Sequence, residues 1–243
     1  MMPWLKQPAS HRTADIAGVL LHSSRGGPNS SVQNDGPATE AWLSNPSNGS
    51  QAQGWGGSAD LIIFGDGTRV RCLMWDRESP TYGAGYGDAG SWDASRFYLN
   101  VELAQHIESA PFDPRTIDSL AEWTARMSIE FHFPLVRLPF LWQKEQPIPK
   151  GITAHDATMN GRKYGKSDPG HMFPWDVYLT KAIDYQWKMQ GGDGAMTPDE
   201  RKLFDDLKRE YEYTRDCLYV FALLQSFDLA GAKAKLAEMK SPR

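Results

Sequence analysis

Cysteine is scarce in this chain. There are two in 243 residues, Cys72 and Cys217, and no Cys-x-x-Cys pair. That excludes a thiolate zinc cluster, a thioredoxin-like redox motif and a disulfide-stapled small fold. The two are expected to be buried free thiols in different domains, which fits a reducing cytoplasm. Long apolar runs are also missing. None approaches the roughly 18 residues that a membrane-spanning helix needs, so no stable membrane insertion is expected. Nor is positive charge in surplus. Lys and Arg number 26 against 30 Asp and Glu, a net charge of −4, and no basic patch is offered to a phosphate backbone, so no nucleic-acid partner is expected. The stretch Met1-Met-Pro-Trp-Leu-Lys-Gln7 lacks the basic-then-apolar pattern of a secretory signal, and the expected location is the cytoplasm.

What is present describes an ordinary globular chain, with 40% hydrophobic and 12% aromatic residues. Ile16–Ser23 reads as a buried strand and Ala38–Leu43 as a short helix. A polar, Gly-rich loop follows over Pro46–Gly57. Ala59–Phe64 and Thr68–Met74 flank Gly65-Asp-Gly67, the turn chemistry of a hairpin. Phe97–Leu103 and Ile152–His155 read as further strands. Asp113-Pro114 has the form of an N-cap followed by proline at the first helical position, and the apolar spacing of Ile117, Leu120, Ala121 and Met127 carries that helix to Phe131. Asp176–Met189 reads as another helix, closed by Gly191-Gly192. Gly191-Gly-Asp-Gly194 is the best linker, and Thr197-Pro-Asp-Glu200 then opens a long helix with a second from about Leu229 to Met239. The expectation is an α/β catalytic domain over 1–190, a mixed central β-sheet flanked by helices, and a C-terminal helical hairpin over 195–243. The hairpin's apolar face fits packing on the catalytic domain, self-association with another copy, or a cell-wall-binding module, and periodicity does not choose among them.

The chemistry concentrates in Gly151-Ile-Thr-Ala-His155 and in Gly161-Arg-Lys-Tyr-Gly-Lys-Ser-Asp168-Pro-Gly170, with His22 far upstream after the apolar run Ile16-Ala-Gly-Val-Leu-Leu21. Two histidines and one carboxylate from separate elements form a three-ligand set with a fourth position open, as in a hydrolytic rather than a structural zinc site. Each residue also has an ordinary explanation. His22 fits a core histidine at the point where a strand gives way to a loop, Asp168 a turn residue, and Glu102 a solvated strand carboxylate. Taken one at a time, the residues leave both readings open.

Four segments together resemble the type 2 N-acetylmuramoyl-L-alanine amidases, the zinc enzymes whose fold is shared with peptidoglycan recognition proteins and phage lysozyme-amidases. They are the strand ending in His22, Ser58-Ala-Asp-Leu-Ile-Ile-Phe-Gly-Asp-Gly-Thr68, Leu99-Asn-Val-Glu-Leu103, and the segment from Ile152 through Asp168 to Phe173-Pro-Trp175. The resemblance spans roughly Ile16 to Trp187, and the fourth segment is its specific part. It implies His22, His155 and Asp168 as Zn2+ ligands, Glu102 as general base and Lys166 as the group facing the oxyanion. It implies hydrolysis of the amide between N-acetylmuramic acid and L-alanine in bacterial peptidoglycan. The chain departs from the family pattern in three places. The His155–Asp168 spacing is longer, which leaves Lys163 competing with Lys166. Asp60 stands where the family has a histidine, and Ala59 where some relatives have a tyrosine.

On this basis the expected role is a phage endolysin that reaches the wall after holin-type permeabilisation. The alternatives are a cytosolic muropeptide-recycling amidase and a non-catalytic peptidoglycan-binding module. Three weaker signals complete the reading. Gly85-Tyr-Gly-Asp-Ala-Gly90 matches a dinucleotide fingerprint without its strand–helix context and is expected to be a mobile loop beside the cleft. Among Trp55, Trp75, Trp92 and Trp142, Trp55 or Trp92 is the best candidate for glycan stacking. His171 could replace Asp168 as a ligand, while His11, His106 and His132 read as surface or core residues.

Overall fold

The computed structural model describes residues 9–12, 14–25, 35–44, 59–72, 81–83, 94–139 and 148–191. The chain divides into two units at the Gln190–Gly191 junction, and every described helix and strand belongs to the first. The expected C-terminal hairpin, the 85–90 segment, Trp55, Trp75, Trp92, Trp142 and Cys217 lie outside the described residues.

In chain order the elements are β1 (Ala9–His11), β2 (Gly18–Arg25), α1 (Asp35–Ser44), β3 (Leu61–Ile63), β4 (Arg69–Arg71), β5 (Thr81–Gly83), β6 (Tyr98–Gln105), α2 (Pro114–Phe131), β7 (Gly151–Ala154), α3 (Met159–Lys163) and α4 (Trp175–Met189). Five strands make the main sheet in the order β4-β3-β6-β2-β7, and β1 pairs with β5 in a separate ribbon. β3, β6, β2 and β7 run parallel, and β4 is antiparallel to β3. The Asp-Gly turn joins β3 to β4 as its sequence requires. Gly67 takes φ 86°, a left-handed conformation that suits glycine, and the Asp66 carboxylate accepts from the Thr68 amide at 2.8 Å.

The strand expected over Ile16–Ser23 starts later and runs further. His22 is therefore not at a strand end but inside β2. The reason is pairing: β6 continues to hydrogen-bond β2 out to Arg25↔Gln105, whereas β7 stops at Leu21↔Ala154. His22 is the first β2 residue past the end of β7, so it loses a neighbour on one side only.

Alternation gives the sheet two unlike faces. On one, Val19, Leu21, Leu61, Ile63, Leu99, Val101, Leu103, Ile152 and Ala154 form a single core with Ile117, Leu120 and Met127 of α2 and Tyr178 and Ala182 of α4. Leu99, Val101 and Leu103 are fully buried, and each such side chain contributes about 1.5–3 kcal/mol relative to exposure. The other face carries two smaller apolar clusters, one around Leu20 and Tyr98 and one around Leu43 and Ile62. Between them run the polar side chains of His22, Asn100 and Glu102. Central strand β6 is buried at every position except Glu102, so the sheet opens to solvent there.

α2 and α4 are bolted together by polar contacts as well as apolar ones. Tyr178 donates to Thr124 Oγ1 at 2.9 Å, Lys181 pairs with Asp118 at 2.8 Å and Gln186 donates to Ser128 at 2.8 Å. At the start of α2, the Asp113 carboxylate accepts from the Arg115 amide at 2.8 Å and from its guanidinium at 3.0 and 2.9 Å. Those bonds from Arg115 pull the Asp113 carboxyl down to about 2, against an unfolded value of about 3.9. The cap is thus fully formed above the unfolded value and is lost as the pH falls through the folded one. We expect Asp113→Ala to cost about 1 kcal/mol near neutrality, with the deficit relative to the unmodified chain shrinking as pH falls from about 4 towards about 2. Urea unfolding at several pH values measures it, and a deficit independent of pH would contradict this account of the cap.

Candidate functional site

The polar side chains of the second sheet face meet the loop that follows β7. His155 comes directly after β7 and opens a 3-10 turn, His155–Ala157, rather than closing the strand. The chain then makes the short helix α3, turns at Gly165 and returns to Asp168. Two backbone bonds shape the excursion. The Lys166 amide donates to Gly161 O at 2.7 Å, and the Asp156 amide donates to Asp168 O at 3.2 Å. The second ties the two ends of the loop together, so the longer His155–Asp168 spacing is absorbed by α3 and Tyr164-Gly165 without parting the two residues. Gly161 is needed for the close approach, because a Cβ there would sit 1.8 Å from the His155 carbonyl oxygen.

The three expected ligands converge. His22 Nδ1 lies 3.2 Å from His155 Nδ1, His155 Nδ1 lies 3.1 Å from Asp168 Oδ2, and His22 Nδ1 lies 3.6 Å from the same oxygen. Ligand atoms about 2.0–2.2 Å from a tetrahedral zinc ion stand roughly 3.3–3.6 Å apart. The observed triangle matches the edge lengths of such a tetrahedron, and the donor set is that of an open, three-ligand site. Among the described residues this is the group of histidines, cysteines and carboxylates arranged to hold a metal ion. His171 is exposed and stands outside it.

The electrostatics agree. Burial opposes the charge on Asp168, but hydrogen bonds from His155 and His22, and their charge, override it and hold the carboxyl well below its usual range. Burial likewise opposes a proton on His22, yet Asp168 and Glu102 leave its pKa raised. His155, buried and facing the other imidazole, is lowered. Two close imidazoles cannot both be charged, and one shared cation suits both.

Glu102 is the register partner of His22 on the adjacent parallel strand, so both side chains point to the same face. It is half-buried rather than a solvated strand carboxylate. Burial lifts its pKa to about 7, against the opposing pull of His22 and Lys166. Lys166 is exposed at the rim, and its charge acts on both Glu102 and His155. Lys163 instead places its ammonium 5.1 Å from the ring centre of Tyr164. Exposed His132 caps α2 in a left-handed conformation, and His106 is half-buried at the end of β6. The His11 side chain is outside the described residues. Cys72 is a buried free thiol, and burial raises its pKa far above the usual range.

Sequence reading passed over Asn100, Asp60 and Arg12 as parts of the site. Asn100 Oδ1 faces His22 Nε2 at 3.0 Å. The Asn100 backbone amide donates to Asp60 Oδ2 at 2.7 Å, and Asp60 pairs with Arg12 at 3.4 Å with both side chains fully buried. A signal was available: Asn100 and Glu102 are polar residues two apart in an otherwise apolar strand, and so share a face.

The Amidase_2 family, described as N-acetylmuramoyl-L-alanine amidase, matches residues 12–171. Comparison with curated proteins gave no match. Among solved structures, a selenomethionine derivative of AmpD is 17% identical with a TM-score of 0.49, over 74% of this chain and 93% of that one. The Staphylococcus aureus hydrolase AmiA, solved with its ligand, is 14% identical with a TM-score of 0.44, over 72% and 76%. The N-acetylmuramoyl-L-alanine amidase LysC from Clostridium intestinale URNW is 14% identical with a TM-score of 0.45, over 74% and 93%. The family match begins at Arg12, spans more than half of the chain and takes in His22, Glu102, His155, Lys166 and Asp168; the chain belongs to the N-acetylmuramoyl-L-alanine amidase family Amidase_2.

Proposed function

We propose that this peptidoglycan amidase is zinc-dependent and hydrolyses the amide between the lactyl group of N-acetylmuramic acid and the L-alanine of the stem peptide. The observation that carries the metal is the triangle of His22 Nδ1, His155 Nδ1 and Asp168 Oδ2, with edges of 3.2, 3.1 and 3.6 Å. A nitrogen-rich set of this shape favours zinc over magnesium or calcium. Zinc held there supplies Lewis acidity, polarising a carbonyl and acidifying a water molecule near neutral pH.

The chain's own residues supply the rest. Glu102, whose pKa burial lifts to about 7, takes a proton from the attacking water and later delivers it to the alanine nitrogen as the carbon–nitrogen bond breaks. The water oxygen ends on the lactyl carboxyl group. Lys166, at the rim on the same side, faces the amide oxygen and stabilises the charge that develops on it. Ala59 has no ionisable group, so the proton work falls to Glu102.

Two settings share this chemistry and differ in substrate size: lysis of the intact wall by a phage endolysin released from the cytoplasm, and recycling of soluble muropeptides. We favour the lytic role. In that role the segment 195–243, which follows the residues matched by the amidase family, is the module that holds the enzyme on polymer. Clearing of purified sacculi is the expected result, and activity confined to soluble fragments would select recycling instead.

With purified walls as substrate, we expect new L-alanine amino termini and no new reducing sugars. The activity should disappear after treatment with a chelator and return when zinc is added. Reducing ends in place of amino termini would mean that a glycosidic bond is cut, and full activity in metal-free protein would remove zinc from the mechanism.

Glu102→Gln should lower kcat by about 10²–10⁴-fold while zinc content stays that of the unmodified protein. The base must be ionised, so activity should fall as pH drops through the Glu102 pKa. The charge of a bound dication draws that pKa down from about 7, which places the acid limb at or below this value. Unchanged turnover in the variant, or an identical acid limb, would remove Glu102 from this role.

A further inference from the structure

The metal-facing nitrogens and Glu102 do not account for the buried polar chain behind His22. Asp60 immediately precedes β3, its side chain fully buried against Arg12, which also donates to the carbonyls of Ser95 at 3.1 Å and Tyr98 at 3.5 Å. Burying such a pair is costly and stabilises little by itself. Its position suggests what it does. Asp60 Oδ2 accepts from the Asn100 backbone amide at 2.7 Å, and the Asn100 side-chain amide pulls against the burial that raises the Asp60 carboxyl. Asn100 Nδ2 donates to Tyr98 O at 3.3 Å.

These contacts decide which way the Asn100 amide points. A side-chain amide has one donating end and one accepting end. The donating end is surrounded by acceptors, the Asp60 carboxylate and the Tyr98 carbonyl. Oδ1 must therefore be the end that faces His22 Nε2, 3.0 Å away. An acceptor at Nε2 requires the proton of neutral His22 to sit on Nε2. The lone pair is then on Nδ1, the nitrogen that faces His155 and Asp168. We propose that Asn100, oriented by the Arg12–Asp60 pair, is a positioning residue that locks His22 in the Nε2–H tautomer and so presents Nδ1 to the metal.

This inference rests on the zinc reading for its purpose but not for its first test. Metal-binding histidines generally donate their second N–H to such a partner, and losing the partner typically costs 10–100-fold in metal affinity. Here the partner is a neutral amide whose polarity is set by a buried ion pair two steps from the metal position. Arg12, Asp60 and Asn100 come from three separate segments, and the site would inherit its tautomer from all of them.

The primary measurement needs no variant. Nitrogen-15 imidazole spectra of the metal-free, full-length protein at mildly alkaline pH should show His22 protonated on Nε2 and bare on Nδ1. A His22 protonated on Nδ1 would overturn the proposal. The second measurement is zinc affinity by chelator competition. Asn100→Leu, similar in size but with no acceptor, should bind zinc about 10–100-fold more weakly, with a mixture of His22 tautomers. Zinc affinity within about twofold of the unmodified protein, in a folded variant, would also overturn it. Asn100→Ser, which restores a shorter acceptor, should recover part of the affinity, and no recovery in a folded protein counts against positioning. If the unmodified protein takes up no zinc, the zinc reading fails while the His22 tautomer still decides the role of Asn100.

Discussion

Three electron-rich atoms held within 3.6 Å of one another repel unless something positive lies among them. That constraint organises the rest of this structure. The sheet must bring His22 and His155 to the same place from elements far apart in sequence, and the loop after β7 must return Asp168. Burial adds to the tension, because a low-dielectric setting strengthens both the repulsion and the benefit of relieving it. The site is stable only as part of a fold that over-determines it.

The parallel register supplies most of that determination. Pairing of His22 with Glu102 and of Leu21 with Ala154 sets the proposed ligand and the proposed base side by side and leaves His155 one step beyond the end of its strand. A slip of one residue in β2 would carry His22 into the apolar face beneath α2 and α4 and bring Leu21 into the site, so the core excludes it. The apolar face thereby guards the geometry of the polar one. α2 and α4 cover the face opposite His22 and Glu102, and their packing against Val19, Leu21, Val101 and Leu103 fixes which way the alternating side chains between them point.

Much of this was legible in the sequence. The Asp-Gly turn, the Asp113-Pro114 cap and the apolar spacing of α2 each have a local cause, and each element lies within a few residues of where that cause puts it. His22, His155 and Asp168 were legible as a set only through the resemblance, because nothing local distinguishes a ligand from a core histidine. Three things were not legible. The extent of β2 depends on how long β6 continues to pair with it, which is tertiary information. The short helix α3 has too few residues to show a period. Asn100 is an ordinary amide until Asp60 and Arg12, distant in the chain, are seen to close around it. Asp60 in place of the family histidine read only as a departure from the pattern, and in three dimensions it is one member of a connected set.

The bond from the Asp156 amide to the Asp168 carbonyl makes the loop between His155 and Asp168 a closed bight with a fixed neck. Between Gly161 and Lys166, the turn Lys163-Tyr164-Gly165 can lengthen, shorten or change character without parting His155 from Asp168. Here the bight presents Met159, Lys163 and Tyr164 outward. Evolution can therefore revise that stretch of the rim through insertions and deletions while both ends of the loop stay tied.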